Sequence, residues 1–143
     1  MPLPGEFAAN ARLRARCISG CLTLEGYLAA LTNSGFGRVD VRARFPYRYL
    51  HPVEYPEINE PVMLESIEVA AYKVPDGPDG PEVFTGRTAT YFGPDTSIRE
   101  ETGFTLARGI PTPVSDAAAA RLAKRSDFVV TEPTFHSKGG GCC

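Results

Sequence analysis

Four cysteines carry the most distinctive chemistry in this sequence, and they come as two pairs: Cys17 with Cys21, and Cys142 with Cys143. Thiolate sulfur is the side-chain donor that soft ions prefer. The first pair stands four apart in Arg16-Cys17-Ile18-Ser19-Gly20-Cys21. On a helical turn two such thiols share a face, and if Gly20 opens the turn into a loop they can still converge on one ion. The second pair follows Gly139-Gly140-Gly141, which has no side chain to bury and acts as a hinge. Two plainer readings stand beside metal ligation: Cys17 and Cys21 as small buried hydrophobes, and residues 137–143 as an unstructured, redox-sensitive tail. Of the two histidines, His136 lies near the tail and can add a nitrogen ligand, whereas His51 reads first as a surface or hydrogen-bonded side chain.

The background against which these thiols sit is that of a globular domain. The chain has 143 residues, 43% of them hydrophobic and 22% charged, enough for one core without staples. It has no apolar run long enough to span a bilayer and no secretory pattern in Met1-Pro2-Leu3-Pro4-Gly5-Glu6, so a cytoplasmic location with no membrane contact is expected. In a reducing compartment four cysteines point to metal, metalloid or redox chemistry rather than a disulfide framework. The net charge of -2 gives no general drive towards nucleic acid. Charge is unevenly placed: Arg12, Arg14, Arg16, Arg38, Arg42, Arg44 and Arg48 make the first third basic, and residues 51–100 are acidic. Such a distribution reads as solvated or partner-facing charge before it reads as a phosphate track.

The elements that must hold the thiols follow from capping residues and periodicity. Residues 1–9 read as an extended lead-in, and Asn10 caps a short helix to Arg16. Thr23 caps a helix running to about Ser34, with Leu24, Tyr27, Leu28 and Leu31 on one stripe and Gly35 as the stop. Alternation predicts a strand over 38–45 ended by Pro46, an aromatic, proline-rich loop over 47–61, and a strand over 63–74. The doubled turn Pro75-Asp76-Gly77-Pro78-Asp79-Gly80-Pro81 then joins it to a partner strand over 83–92, a long antiparallel hairpin. A turn-rich loop over 93–101, a short strand over 104–108, a helix capped by Ser115 and running to Arg125, and a last strand over 127–131 complete the chain. The expected class is α+β: a mainly antiparallel sheet with two or three helices packed on one face. Residues 1–136 form a single domain in this reading, with 1–22 as the lead-in bearing Cys17 and Cys21, 23–136 as the core, and 137–143 as the tail.

Several kinds of site are missing from the sequence. It has neither G-x-G-x-x-G nor G-x-x-x-x-G-K-[ST], and so no ready cradle for a dinucleotide, a nucleotide or S-adenosylmethionine. It also lacks a G-x-S-x-G elbow and an H-E-x-x-H helix, and no catalytic residues are assigned.

Cys17-Ile18-Ser19-Gly20 leads into the Leu22–Leu31 helix and the Ser34-Gly35-Phe36 stop. Further along come Phe84-Thr85-Gly86-Arg87-Thr88-Ala89-Thr90-Tyr91-Phe92-Gly93, Gly103-Phe104-Thr105-Leu106, Arg108-Gly109-Ile110-Pro111, Asp116-Ala117-Ala118-Ala119 and the Gly-Gly-Gly-Cys-Cys end. In these motifs and their order the sequence resembles the part of bacterial arsenite methyltransferases that follows their S-adenosylmethionine-binding domain. The resemblance implies a domain that binds trivalent arsenic through thiolates, while a separate S-adenosylmethionine-binding methyltransferase domain or subunit presents the methyl donor. Cys17 matches the family's arsenic-ligating cysteine. Ser115 stands where the family often has a second cysteine, and Cys21 where a small residue is usual.

Trivalent arsenic forms pyramidal three-thiolate complexes, so Cys17 with two of Cys21, Cys142 and Cys143 would suffice, the glycine hinge closing the tail over the ion. Cys142 is expected to be the better tail ligand, because Cys143 lies against the terminal carboxylate, whose charge opposes a thiolate there. Lys138 and His136 partly offset that charge. Two other classes compete: a cytosolic carrier or sensor for zinc, cuprous copper or mercury using the same thiols, and a structural interaction module with no ligand. The sequence leaves the oligomeric state open.

Overall fold

Burial, more than propensity, decides where the first helices form. In the computed structural model, which describes residues 3–134, Phe7 is almost fully buried, and its N–H donates to the Pro4 carbonyl at 3.0 Å. The segment expected to be extended therefore forms a helix, α1 (Gly5–Ala9), with Pro4 as its N-cap. Asn10 then caps α2 (Ala11–Ala15), its side chain accepting from the N–H groups of Arg12 and Leu13. Thr23 does the same for α3 (Leu24–Asn33), its hydroxyl accepting from the Gly26 N–H at 3.1 Å. On that helix only Leu28 of the predicted stripe is buried, and Tyr27 is exposed.

The strands are β1 (Arg38–Leu50), β2 (Val62–Tyr72), β3 (Glu82–Phe84), β4 (Thr88–Tyr91), β5 (Ser97–Arg99), β6 (Thr105–Ala107), β7 (Thr112–Pro113) and β8 (Phe128–Val130), with helix α4 (Asp116–Leu122) before the last. They form three small sheets, ordered β2-β1-β3, β7-β4-β8 and β5-β6. The β4–β7, β4–β8 and β5–β6 pairs are antiparallel and the β1–β3 pair is parallel, so the class is α+β with mostly antiparallel pairing, as expected.

Two expected boundaries move. Strand β1 does not stop at Pro46 but continues to Leu50. Its partner β3 covers only Arg38–Asp40, so further along that side of β1 is an edge, where a missing N–H removes no ladder bond. The expected long hairpin between the 63–74 strand and residues 83–92 does not form. Its second arm breaks at Gly86: β3 pairs with β1, while β4 pairs with β7 and β8. Gly86 has a φ of 88°, and a Cβ there would lie 2.1 Å from the Thr134 carbonyl oxygen, so the turn requires a residue with no side chain.

The residues divide into two compact units, Met1–Ala30 with Phe45–Ser66, and Leu31–Arg44 with Ile67–Cys143. The first is built on Phe7, Leu13, Ile18, Leu50, Tyr55, Ile58 and Leu64, with the Phe7 and Tyr55 rings 6.1 Å apart. The second centres on Ala89, Tyr91, Leu106, Val114, Ala118, Ala119, Leu122 and Phe128. In it α4, capped by the Ser115 hydroxyl accepting from the Ala118 N–H, packs on β3, β4 and β8. No described helix is long and apolar enough to cross a membrane.

Candidate thiol site

Cys17 and Cys21 sit on the turn that ends α2, and a helix-ending motif fixes the first of them. The Ile18 N–H donates to the Leu13 carbonyl and the Cys17 N–H to the Arg14 carbonyl, both at 3.0 Å. These are the two crossed bonds of a Schellman motif, which needs a left-handed residue just past the helix and an apolar contact across the turn. Leu13 and Ile18 provide that contact in the core of the first unit. Full burial of Ile18 stabilises the arrangement by about 2 kcal/mol.

The left-handed position, where glycine is usual, holds Cys17 with a φ of 56°. It is the one non-glycine residue with positive φ among the described residues. A side chain there costs about 1 kcal/mol relative to glycine. Gly20, with a φ of 91°, turns the chain again and brings Cys21 back, its N–H donating to the Ile18 carbonyl at 3.4 Å.

Both thiols are exposed and free. The Cys21 thiol donates to the Cys17 carbonyl oxygen, with Sγ 3.6 Å away. Partial burial pushes the Cys21 thiol above its ordinary value, and the neighbouring Cys17 thiol raises it further. A second negative charge is thus resisted next to the first, and a cationic or electrophilic centre taking both sulfurs would relieve that repulsion.

Other candidate ligands fall elsewhere. His51 is exposed, and its Nδ1 accepts from the Val53 N–H at 3.3 Å, the local hydrogen-bonded role expected of it. Ser115 is buried and committed as the cap of α4 in the second unit. Cys142, Cys143 and His136, with the glycine hinge, lie outside the described residues. Among the described residues no group of three or more His, Cys, Asp or Glu side chains could hold a metal ion. Sequence reasoning found the two thiols but missed the Leu13–Ile18 staple that sets them. The signal was present as two apolar residues five apart around a helix end, masked by a cysteine in the glycine position.

No protein-family model matches the chain, and no curated protein matches it. Among solved structures, the chain is similar to the crystal structure of an arsenic(III) S-adenosylmethionine methyltransferase from Chlamydomonas reinhardtii. The identity is 16% and the TM-score 0.48, over 96% of this chain and 48% of that one. The chain thus spans about half the length of that protein.

Proposed function

We propose that this chain is the metalloid-binding portion of an arsenite methyltransferase-like system, and that Cys17 and Cys21 are two of the thiolates that take trivalent arsenic. The observation that carries the reading is the placement of two free, exposed thiols on one short turn anchored by buried Ile18. The sequence motifs around Cys17 add to it. The chemistry balances without an external base: arsenous acid loses one hydroxide as water for each thiol proton it takes, and one As–S bond replaces each As–O bond.

Two sulfurs leave a pyramidal arsenic centre one ligand short, and Cys142 or Cys143 is the proposed third. The methyl donor, S-adenosylmethionine, would be held by a separate domain or subunit, which is the partner this reading requires. Reduced thiols fit a cytoplasmic setting.

The test is calorimetric titration of the fully reduced protein with arsenite and, in parallel, with zinc, repeated on Cys17→Ser and on a chain truncated before Cys142. Binding at one equivalent of arsenite that is lost in Cys17→Ser and weakened by truncation is the expected result. Tight zinc binding with no arsenite binding would replace the reading with a thiol-based zinc site. No binding of either would end it.

A further inference from the structure

We propose that the cavity of the second unit is a binding site for a small organic cation, a protonated amine on a compact apolar body. The cavity measures about 570 Å³ and is lined by Arg38 and Asp40 of β1, Glu82 and Phe84 of β3, and Thr102 and Phe104 of the turn into β6, with Ser115 at the foot of α4. That volume lies in the range of small-molecule sites. All of these residues belong to the second unit, so the proposal stands apart from the thiol reading.

The charges decide the class of ligand. Arg38 is already committed: its Nε and Nη2 donate to the two carboxylate oxygens of Asp40 at 3.0 and 3.2 Å, and its guanidinium lies over the Phe84 ring at 4.7 Å. That pair cancels. Glu82 is half-buried, and among the described residues it makes no ion pair. The wall therefore carries one net negative charge on a carboxylate that a bound cation would partner. An anionic ligand would meet the Glu82 carboxylate, which argues against phosphates and carboxylates.

A second, independent feature is Thr102. Its Oγ1 is the one buried side-chain polar atom left without a hydrogen-bond partner among the described residues, and Thr102 lines this cavity. Buried polar atoms are nearly always paired, so this orphan hydroxyl beside the cavity marks a place where a partner is missing, and a hydroxyl can either donate or accept. An ammonium offers three donors and no acceptor, which suits a wall whose unpaired charged group is the Glu82 carboxylate. Phe104 and Pro113 supply the apolar surface for the rest of the ligand.

The probe pair is phenethylamine and 3-phenylpropionate, which share an apolar body and differ in charge, each titrated into the intact chain and followed by backbone amide resonances. The amine should give saturable shifts at Glu82, Phe84, Thr102 and Phe104 and bind at least about tenfold tighter than the acid. Glu82→Gln should weaken the amine about tenfold or more. Arsenite titration should be unchanged by Glu82→Gln. The inference is overturned if the acid binds as well as the amine, if the shifts map elsewhere, or if no saturation occurs by about 10 mM. A folded Glu82→Gln variant that binds the amine normally overturns it too.

Discussion

Cys17 and Gly35 hold the same place in two helix-ending turns of one design. Past α3 the Phe36 N–H donates to the Leu31 carbonyl at 3.4 Å and the Gly35 N–H to the Thr32 carbonyl at 3.0 Å, the same crossed pair that Ile18 and Cys17 make past α2. Gly35 has a φ of 83° and Cys17 a φ of 56°. One turn uses the residue that the geometry prefers; the other carries a thiol in a conformation that disfavours it. A strained side chain on an otherwise regular motif is a reason to look for function there.

The first prediction separates strain from ligation. Cys17→Gly should stabilise the protein by about 1 kcal/mol, because glycine relieves the left-handed backbone. Cys17→Ser keeps the strain and should be close to neutral in stability. Both should lose arsenite binding. Urea unfolding of the metal-free proteins, read beside the calorimetry, checks this; a Cys17→Gly variant less stable than the parent would show that the side chain contributes contacts that outweigh its backbone.

A second prediction concerns the charge cluster that braces α4. The Glu100 side chain is only 5% exposed and meets Arg121 at 3.0 Å and Arg125 at 3.7 Å, while Arg121 also pairs with Asp79. Hydrogen bonding to Glu100, and next to Asp79, holds the Arg121 guanidinium above its ordinary value. Arg121→Met would leave a buried carboxylate facing one more distant cation, and should cost about 2 kcal/mol, below the full cost of an orphaned buried charge because Arg125 remains. The urea midpoint reads it; a shift indistinguishable from zero would mean that Arg125 suffices alone.

How much of this was legible depends on where local and distant forces agree. Thr23 and Ser115 announced their helices because a cap is a local hydrogen bond, and both caps form. Alternation placed the β1 and β2 strands, but not the end of β1, since tolerance of Pro46 depends on which neighbour is missing. The helix at Gly5–Ala9 was illegible because it is stabilised by burying Phe7, a tertiary effect. The two-residue strand β7 is too short for any periodicity. For the thiols, spacing showed that Cys17 and Cys21 can act together, whereas the left-handed backbone of Cys17 was hidden. The cavity of the second unit left no sequence trace, since the partnerless state of Thr102 follows from packing.

The third prediction tests the break that replaced the hairpin. Gly86→Ala would place a methyl 2.1 Å from the Thr134 carbonyl oxygen at a residue whose φ is 88°. The steric and backbone terms act together and should cost about 3 kcal/mol. The Thr134 N–H and hydroxyl, both of which donate to the Gly86 carbonyl, should lose their bonds. Amide exchange at Thr134 measures that loss directly, and unchanged protection with unchanged stability would mean that the chain beyond β8 yields freely.

The last prediction uses protons to tell arsenic from zinc. Burial, with Cys17 beside it, raises the Cys21 thiol above its ordinary value, so Cys21 stays protonated across and beyond neutral pH. The sign of the linkage follows: the folded state favours protonated Cys21, and the associated stability, present below the ordinary thiol value, is lost as pH rises through the raised one. Zinc must displace each thiol proton into solution, so its apparent affinity should fall about tenfold for each unit by which the pH is lowered, for each protonated thiol it ligates. Arsenous acid carries the hydroxides that consume those protons, so its binding should be nearly flat from about pH 6 to 8, below the ordinary thiol value. Calorimetry in buffers of differing ionisation heat counts the protons released. Release near zero with arsenite and of one or more protons with zinc is expected, and proton release on arsenite binding would show that the ion is not held as a neutral thiolate complex of these cysteines.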